Sequence, residues 1–209
     1  MYHEIYLPEE RRRLNAMTNP AYNTGLSVFR RHLEWLHDND IDTLTIDDLF
    51  SGQPELEKNC ICLTFDDGWS GNYAHAYPLL REFGFRATFF VATSLIDEPL
   101  YMTWEQLKEM QSSGMSVQSH TVSHRPLGDM EEKELTFELY TSKQIIEEKL
   151  ATSVRYLSLP HGEWDSRTWP VAKKIGYRSV CTSEVGFNPW DSLGPLLKRI
   201  SIGDGISER

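Results

Sequence analysis

Two adjacent aspartates, Asp66 and Asp67, close the apolar run Ile61-Cys62-Leu63-Thr64-Phe65, and Gly68 follows them. Farther along stands His120-Thr121-Val122-Ser123-His124. Two imidazoles and one carboxylate, with positions left open for water, suit a catalytic zinc-like ion. Such an ion lowers the pKa of a bound water toward neutrality and polarises a carbonyl. The aspartate that does not bind the ion is then free to accept a proton. Either motif alone is weak, because acidic pairs often sit in solvated turns and histidines four apart often share a helix surface. Their joint placement at the ends of apolar segments points to a hydrolytic metal site.

Specific elements must carry these side chains. Ile61 to Phe65 has the length and apolar continuity of a strand covered on both faces. Consecutive strand residues face opposite sides, so both carboxylates serve one site only where the strand ends and the chain turns. Gly68 permits that turn. Met115 to Gln118 reads as a second short strand with His120 just past its end. A helical turn there would aim His120 and His124 at one point. Phe29, Leu33 and Leu36 predict a helix over Leu26 to Asp38. Thr103 with Gln106 forms a capping-box start for a helix from Trp104 to Ser113, stopped by Gly114. Leu135, Leu139, Ile146 and Leu150 predict another from about Glu131 to Leu150. Asp165 is placed to cap one running to about Ile175, ended by Gly176. Further strands are expected over Ala87 to Val91, Arg155 to Leu159, Arg178 to Thr182 and Leu197 to Ile202. Alternating strands and helices mean a parallel sheet or barrel with right-handed crossovers. Such folds gather their chemistry at the carboxyl ends of the strands.

The whole chain sets bounds. Its 209 residues predict a single catalytic domain over 1–209 with a large core. A net charge of −10 argues against nucleic acid or an anionic membrane surface as the main partner. No stretch approaches the roughly 20 apolar residues of a spanning helix. Three cysteines without CxxC spacing read as reduced core thiols. The start, Met-Tyr-His-Glu-Ile, lacks a basic and apolar signal segment, so the expected location is cytoplasmic, or periplasmic or extracellular if a signal has been removed.

The motifs carry a resemblance. Thr64-Phe65-Asp66-Asp67-Gly68 and His120-Thr121-Val122-Ser123-His124 resemble the first two motifs of the polysaccharide deacetylases, carbohydrate esterase family 4. Tyr73, Pro78-Leu79-Leu80, Gly84 and Ala87 to Val91 also follow that pattern. Tyr2-His3 ahead of the Phe29 to Leu36 helix is similar to the poly-N-acetylglucosamine deacetylase branch. The resemblance reaches to about Gly162. It implies an α/β fold, a distorted (β/α) barrel of about seven parallel strands with outer helices. It also implies Asp66 as general base and Asp67, His120 and His124 as metal ligands. Leu159-Pro160-His161-Gly162 resembles the third motif, in which the residue after Pro160 offers a backbone N–H to an oxyanion; here that is His161.

Three departures accompany it. Ser158 stands where the family's third motif has an arginine that holds the catalytic aspartate, and His161 stands where it has a tyrosine. No histidine follows His161, so the family's last motif, which protonates the leaving group, is absent. Either that task falls to His161 or to solvent, or the chain is slow, or it is truncated. For the missing arginine the candidate is Arg199, on a late apolar strand that a closed barrel would bring round toward the first strands. Its guanidinium can hold a carboxylate through two parallel N–H bonds. Trp69 and Trp190 are candidates to stack on sugar, beside Pro160. His3, at the end of the first presumed strand, is read as structural.

The expected activity is metal-dependent removal of N-acetyl groups from amino sugars of a polysaccharide, oligosaccharide or glycan precursor. The rivals are an O-acetyl polysaccharide esterase and a catalytically weak carbohydrate-binding or scaffold protein. The expected cofactor is a divalent metal, Zn²⁺ first and Co²⁺ or Ni²⁺ as alternatives. The expected partner is an N-acetylated glycan, with neither nucleic acid nor a membrane span.

Overall fold

A computed structural model describes residues 1–15, 18–51 and 59–204. Six parallel strands form one curled sheet in the order β10-β9-β8-β7-β6-β5. These are β5 (Thr64–Phe65), β6 (Thr88–Val91), β7 (Ser116–Ser119), β8 (Tyr156–Ser158), β9 (Ser179–Cys181) and β10 (Leu196–Leu197). Two short parallel pairs lie beside it: β1 (Glu4–Tyr6) with β2 (Asn23–Gly25), and β3 (Asp42–Leu44) with β4 (Cys60–Cys62). Helices α1 (Arg11–Asn15), α2 (Leu26–Asp38), α3 (Ile46–Phe50), α4 (Tyr77–Glu82), α5 (Trp104–Ser112), α6 (Glu132–Leu150) and α7 (Thr168–Ile175) fill the connections.

The first residues of the chain join the sheet's two edges. Tyr2 N–H donates to Thr64 C=O over 2.7 Å and Asp66 N–H donates to Tyr2 C=O over 3.0 Å. On the other side the Met1 amine donates to Ile200 C=O at 2.7 Å, and Ile202 N–H donates to Met1 C=O at 2.9 Å. This single-residue bridge at Tyr2 brings the segment after β10 against the end of the six-stranded sheet's β5. The sheet is thereby a distorted barrel.

Packing follows strand alternation. Phe89 of β6 stacks on Phe65 of β5, centroids 4.7 Å apart, in the larger apolar cluster. Its neighbour Phe90 faces the other way, into a smaller cluster with Ile46, Tyr156, Cys181 and Leu197. Helix α2 buries Phe29, Leu33 and Leu36, and both halves of the Thr103–Gln106 capping box are made at α5. Among the described residues no helix is long and apolar enough to cross a membrane.

Four expectations are corrected. The run from Ile61 to Phe65 is not one covered strand. It breaks at Leu63, with β4 pairing β3 and β5 pairing β6, and Ile61 is 41% exposed. The apolar run is continuous, but its two halves serve different sheets. Regular strand after Leu196 stops at Leu197, because β9 ends at Cys181 and residues 199–202 bond instead to Glu184 and Met1. Helix α7 starts at Thr168 rather than directly after Asp165, whose carboxylate is bonded to Arg167 N–H and guanidinium. The segment from His120 to His124 is not a helical turn, as its geometry below makes plain.

Candidate functional site

Asp66 and Asp67 emerge at the end of β5 and part company there. Asp67 takes φ 76° and Gly68 φ 93°, so the chain reverses and the two carboxylates face different partners. His120 leaves β7 and His124 follows through a loop with Thr121 at φ 71° and His124 at φ 58°. A non-glycine residue in this left-handed region costs on the order of 1–3 kcal/mol and persists only where its surroundings dictate it. Here the buried Glu138 of α6 dictates it. One of its carboxylate oxygens accepts Val122 N–H at 2.8 Å and Ser123 N–H at 2.9 Å, and the other accepts Ser123 Oγ at 2.6 Å. His124 N–H closes on Thr121 Oγ1 at 3.2 Å.

The loop aims both imidazoles at one oxygen. His120 Nε2 lies 3.3 Å and His124 Nε2 3.0 Å from Asp67 Oδ1. These three residues form a cluster whose ligand atoms all lie within 4.8 Å of one another. His120 Nδ1 sits 2.8 Å from Ser158 C=O, which can only accept. Nδ1 therefore carries the proton, and in a neutral ring Nε2 is a lone pair facing a carboxylate oxygen. Two acceptors in that position require a proton or a cation between them. The pKa shifts have the same origin. Burial pushes His120 down, but Asp67 and Asp66 more than offset it and raise it. Burial likewise pushes Asp67 up, yet the two imidazoles hold it well below the usual carboxylate range. Asp67, His120 and His124 thus fit a divalent cation of the zinc class.

Asp66 belongs to a different network. Arg199 Nη1 donates to its Oδ1 and Nη2 to its Oδ2, both at 2.8 Å. Ser158 Oγ donates to Oδ2 and accepts from Arg199 Nη2, again at 2.8 Å each. Arg199 Nε is fixed on Thr182 C=O at 3.0 Å. All three side chains are buried. Burial raises the Asp66 pKa, but Arg199 and then His120 outweigh it and keep the carboxyl ionised. The guanidinium therefore arrives from residue 199, and Ser158 links it to the carboxylate.

The other sequence candidates lie as follows. Pro160 is buried and opens a single 3-10 turn, Pro160–Gly162. His161 sits in that turn at φ 56°, exposed, with its ring centroid 4.7 Å from that of His124. Among the described residues no acceptor takes the His161 N–H. Trp69 stacks on Tyr101 and turns its N–H toward Asp67. Trp190 is 45% exposed in the turn Trp190–Ser192 of the β9–β10 connection.

His3 is the residue read from the sequence as structural. The Tyr2 pairing sets it beside the end of β5, within electrostatic reach of Asp66, Asp67 and His120. Asn72 Nδ2 donates to its carbonyl at 2.6 Å, and its ring packs on Tyr22 at 4.6 Å. Its Nδ1 is buried without a hydrogen-bond partner among the described residues. The signal lay in Tyr2-His3 itself, but its meaning depends on the barrel closing.

Comparison with known proteins adds an independent line. The polysaccharide deacetylase family model matches residues 53–180. YxkH of Bacillus subtilis (strain 168) is 32% identical over 182 residues, 86% of this chain and 65% of YxkH. The poly-beta-1,6-N-acetyl-D-glucosamine N-deacetylase of Staphylococcus aureus (strain MRSA252) is 25% identical over 203 residues, covering 90% of this chain and 70% of that protein. The chain thus spans about two thirds of the length of these relatives. Among solved structures, the Streptococcus pyogenes deacetylase PplD in complex with acetate superposes with a TM-score of 0.87 at 28% identity, over 99% of this chain and 92% of PplD.

Proposed function

The chain belongs to the polysaccharide deacetylase family, and on that premise we propose that it is a metal-dependent hydrolase of N-acetyl groups on an amino-sugar glycan. A polymer of N-acetylglucosamine is the first substrate to test, since one relative is named for it. The observation that carries the reading is the division of the aspartate pair: Asp67 joins two imidazoles, while Asp66 is held ionised and apart by Arg199. Asp67, His120 and His124 would hold the metal. When bound, that ion polarises the acetyl carbonyl and acidifies water.

The protein's own groups supply the rest. Asp66 accepts the proton of the attacking water. The His161 N–H, which has no protein acceptor among the described residues, donates to the oxygen that gains negative charge. Ser158 and Arg199 fix the Asp66 rotamer. His3, whose pKa burial lowers against the pull of Asp67 and Asp66, would deliver to the departing amine a proton taken up from solvent. That assignment favours amide over ester hydrolysis, because an amine leaves poorly without a proton whereas an alkoxide depends on one less.

Two experiments test the reading. Chelator-treated protein should keep its far-UV circular dichroism, lose acetate release from N-acetylglucosamine oligomers, and regain it with Zn²⁺ or Co²⁺. Acetate release that survives verified metal removal ends the proposal. His3→Ala should keep its metal and slow N-acetyl hydrolysis on the order of 10²-fold, with a smaller effect on an O-acetyl substrate. Equal losses on both substrates, or none, would remove His3 as the proton donor.

A further inference from the structure

Trp69 has no step in the chemistry above, yet it is bonded to one of its residues. Its indole N–H donates to Asp67 Oδ2 over 2.8 Å. The other oxygen, Oδ1, is the one that both imidazoles face. The ring is fixed from a second side by Tyr101, with centroids 4.5 Å apart and planes 22° from parallel. The two residues also form a backbone bridge. Beside it Ser70 N–H donates to Leu100 C=O at 2.8 Å and Met102 N–H donates to Gly68 C=O at 2.9 Å. An indole has one donor and no acceptor, so a stacked and bridged tryptophan aims that donor in one direction only.

We infer that Trp69 is a positioning residue that fixes how Asp67 meets the metal: by occupying Oδ2 it presents Oδ1 alone, and so sets zinc affinity and coordination number. The inference rests on the metal-site reading above. A carboxylate that ligated through both oxygens would add a fourth protein donor. It would fill a position that zinc sites acting on water keep open. A hydrogen bond to an ionised acceptor is roughly twice as strong as a neutral one, enough to hold the carboxylate in one orientation. Partners of this kind typically change metal affinity by about 10- to 100-fold.

The test compares purified wild type with Trp69→Phe, which keeps a ring against Tyr101 and loses only the donor. Far-UV circular dichroism and melting temperature should be unchanged. The zinc dissociation constant, read by competition with a chromophoric chelator, should rise about 10- to 100-fold. The visible absorption of the Co²⁺-loaded variant should weaken as Oδ2 joins the coordination sphere, a signature that a merely structural role would not move. Wild-type zinc affinity with a wild-type Co²⁺ spectrum would overturn the inference. A measurement on wild type alone guards against a variant that fails to fold. One of the six tryptophan indole signals in a ¹⁵N-correlated NMR spectrum should shift on zinc loading, and six unmoved signals would also overturn it. A wild-type chain that takes up no zinc ends this inference together with the metal site. Tight wild-type binding with an indifferent Trp69→Phe ends this inference alone.

Discussion

Asp66→Asn should retain its metal and lose 10²- to 10⁴-fold in turnover, on the order expected when a general base is removed, whereas Asp67→Ala should lose metal and turnover together. The reasoning is geometric. Both imidazoles converge on Asp67 Oδ1, so removing that carboxylate takes away one of the three proposed ligands and leaves two histidines with nothing to complete the site. Asp66 makes no contact with either imidazole within salt-bridge distance; its oxygens are bonded to Arg199 and Ser158. An amide at 66 preserves volume and removes the capacity to accept a proton. Metal analysis and acetate release on both purified variants decide the matter. Metal lost from Asp66→Asn and kept by Asp67→Ala would reverse the two roles.

How much of this was legible beforehand depends on how local each determinant is. Helices α2 and α5 could be read because their signals, an apolar stripe and a capping box, lie within the element itself. The break at Leu63 could not be read, because an apolar run looks the same whether it pairs with one strand or divides between two. The spacing of His120 and His124 pointed to a shared target but suggested the wrong backbone. Four residues span a helical turn and equally a loop with two left-handed residues. What selects the loop is Glu138, 16 residues from Val122 and 15 from Ser123. His3 lies farther still in sequence from Asp66, and nothing short of barrel closure joins them. Arg199 was within reach of the sequence only because closure was assumed and a carboxylate lacked its cation.

Arg199→Ala should cut turnover by roughly 10-fold or more with metal content unchanged, and should also destabilise the fold. Asp66 and Arg199 are 2% and 8% exposed. Deleting one partner of a buried pair strands the other charge, at a cost of about 3–5 kcal/mol. Ser158 Oγ would remain as a donor to Asp66, but it has itself lost the Arg199 Nη2 that orients it. The carboxylate would then be free to rotate away from the attacking water, and the rate would fall through misplacement rather than through loss of the metal. Arg199→Lys separates charge from shape. An ammonium restores the cation, yet it cannot donate to Oδ1 and Oδ2 in parallel while also bonding Thr182 C=O as Nε does. It should therefore recover more stability than turnover. Undiminished turnover in Arg199→Ala, or full recovery of turnover in Arg199→Lys, would show that the fork geometry at Asp66 is incidental to the chemistry.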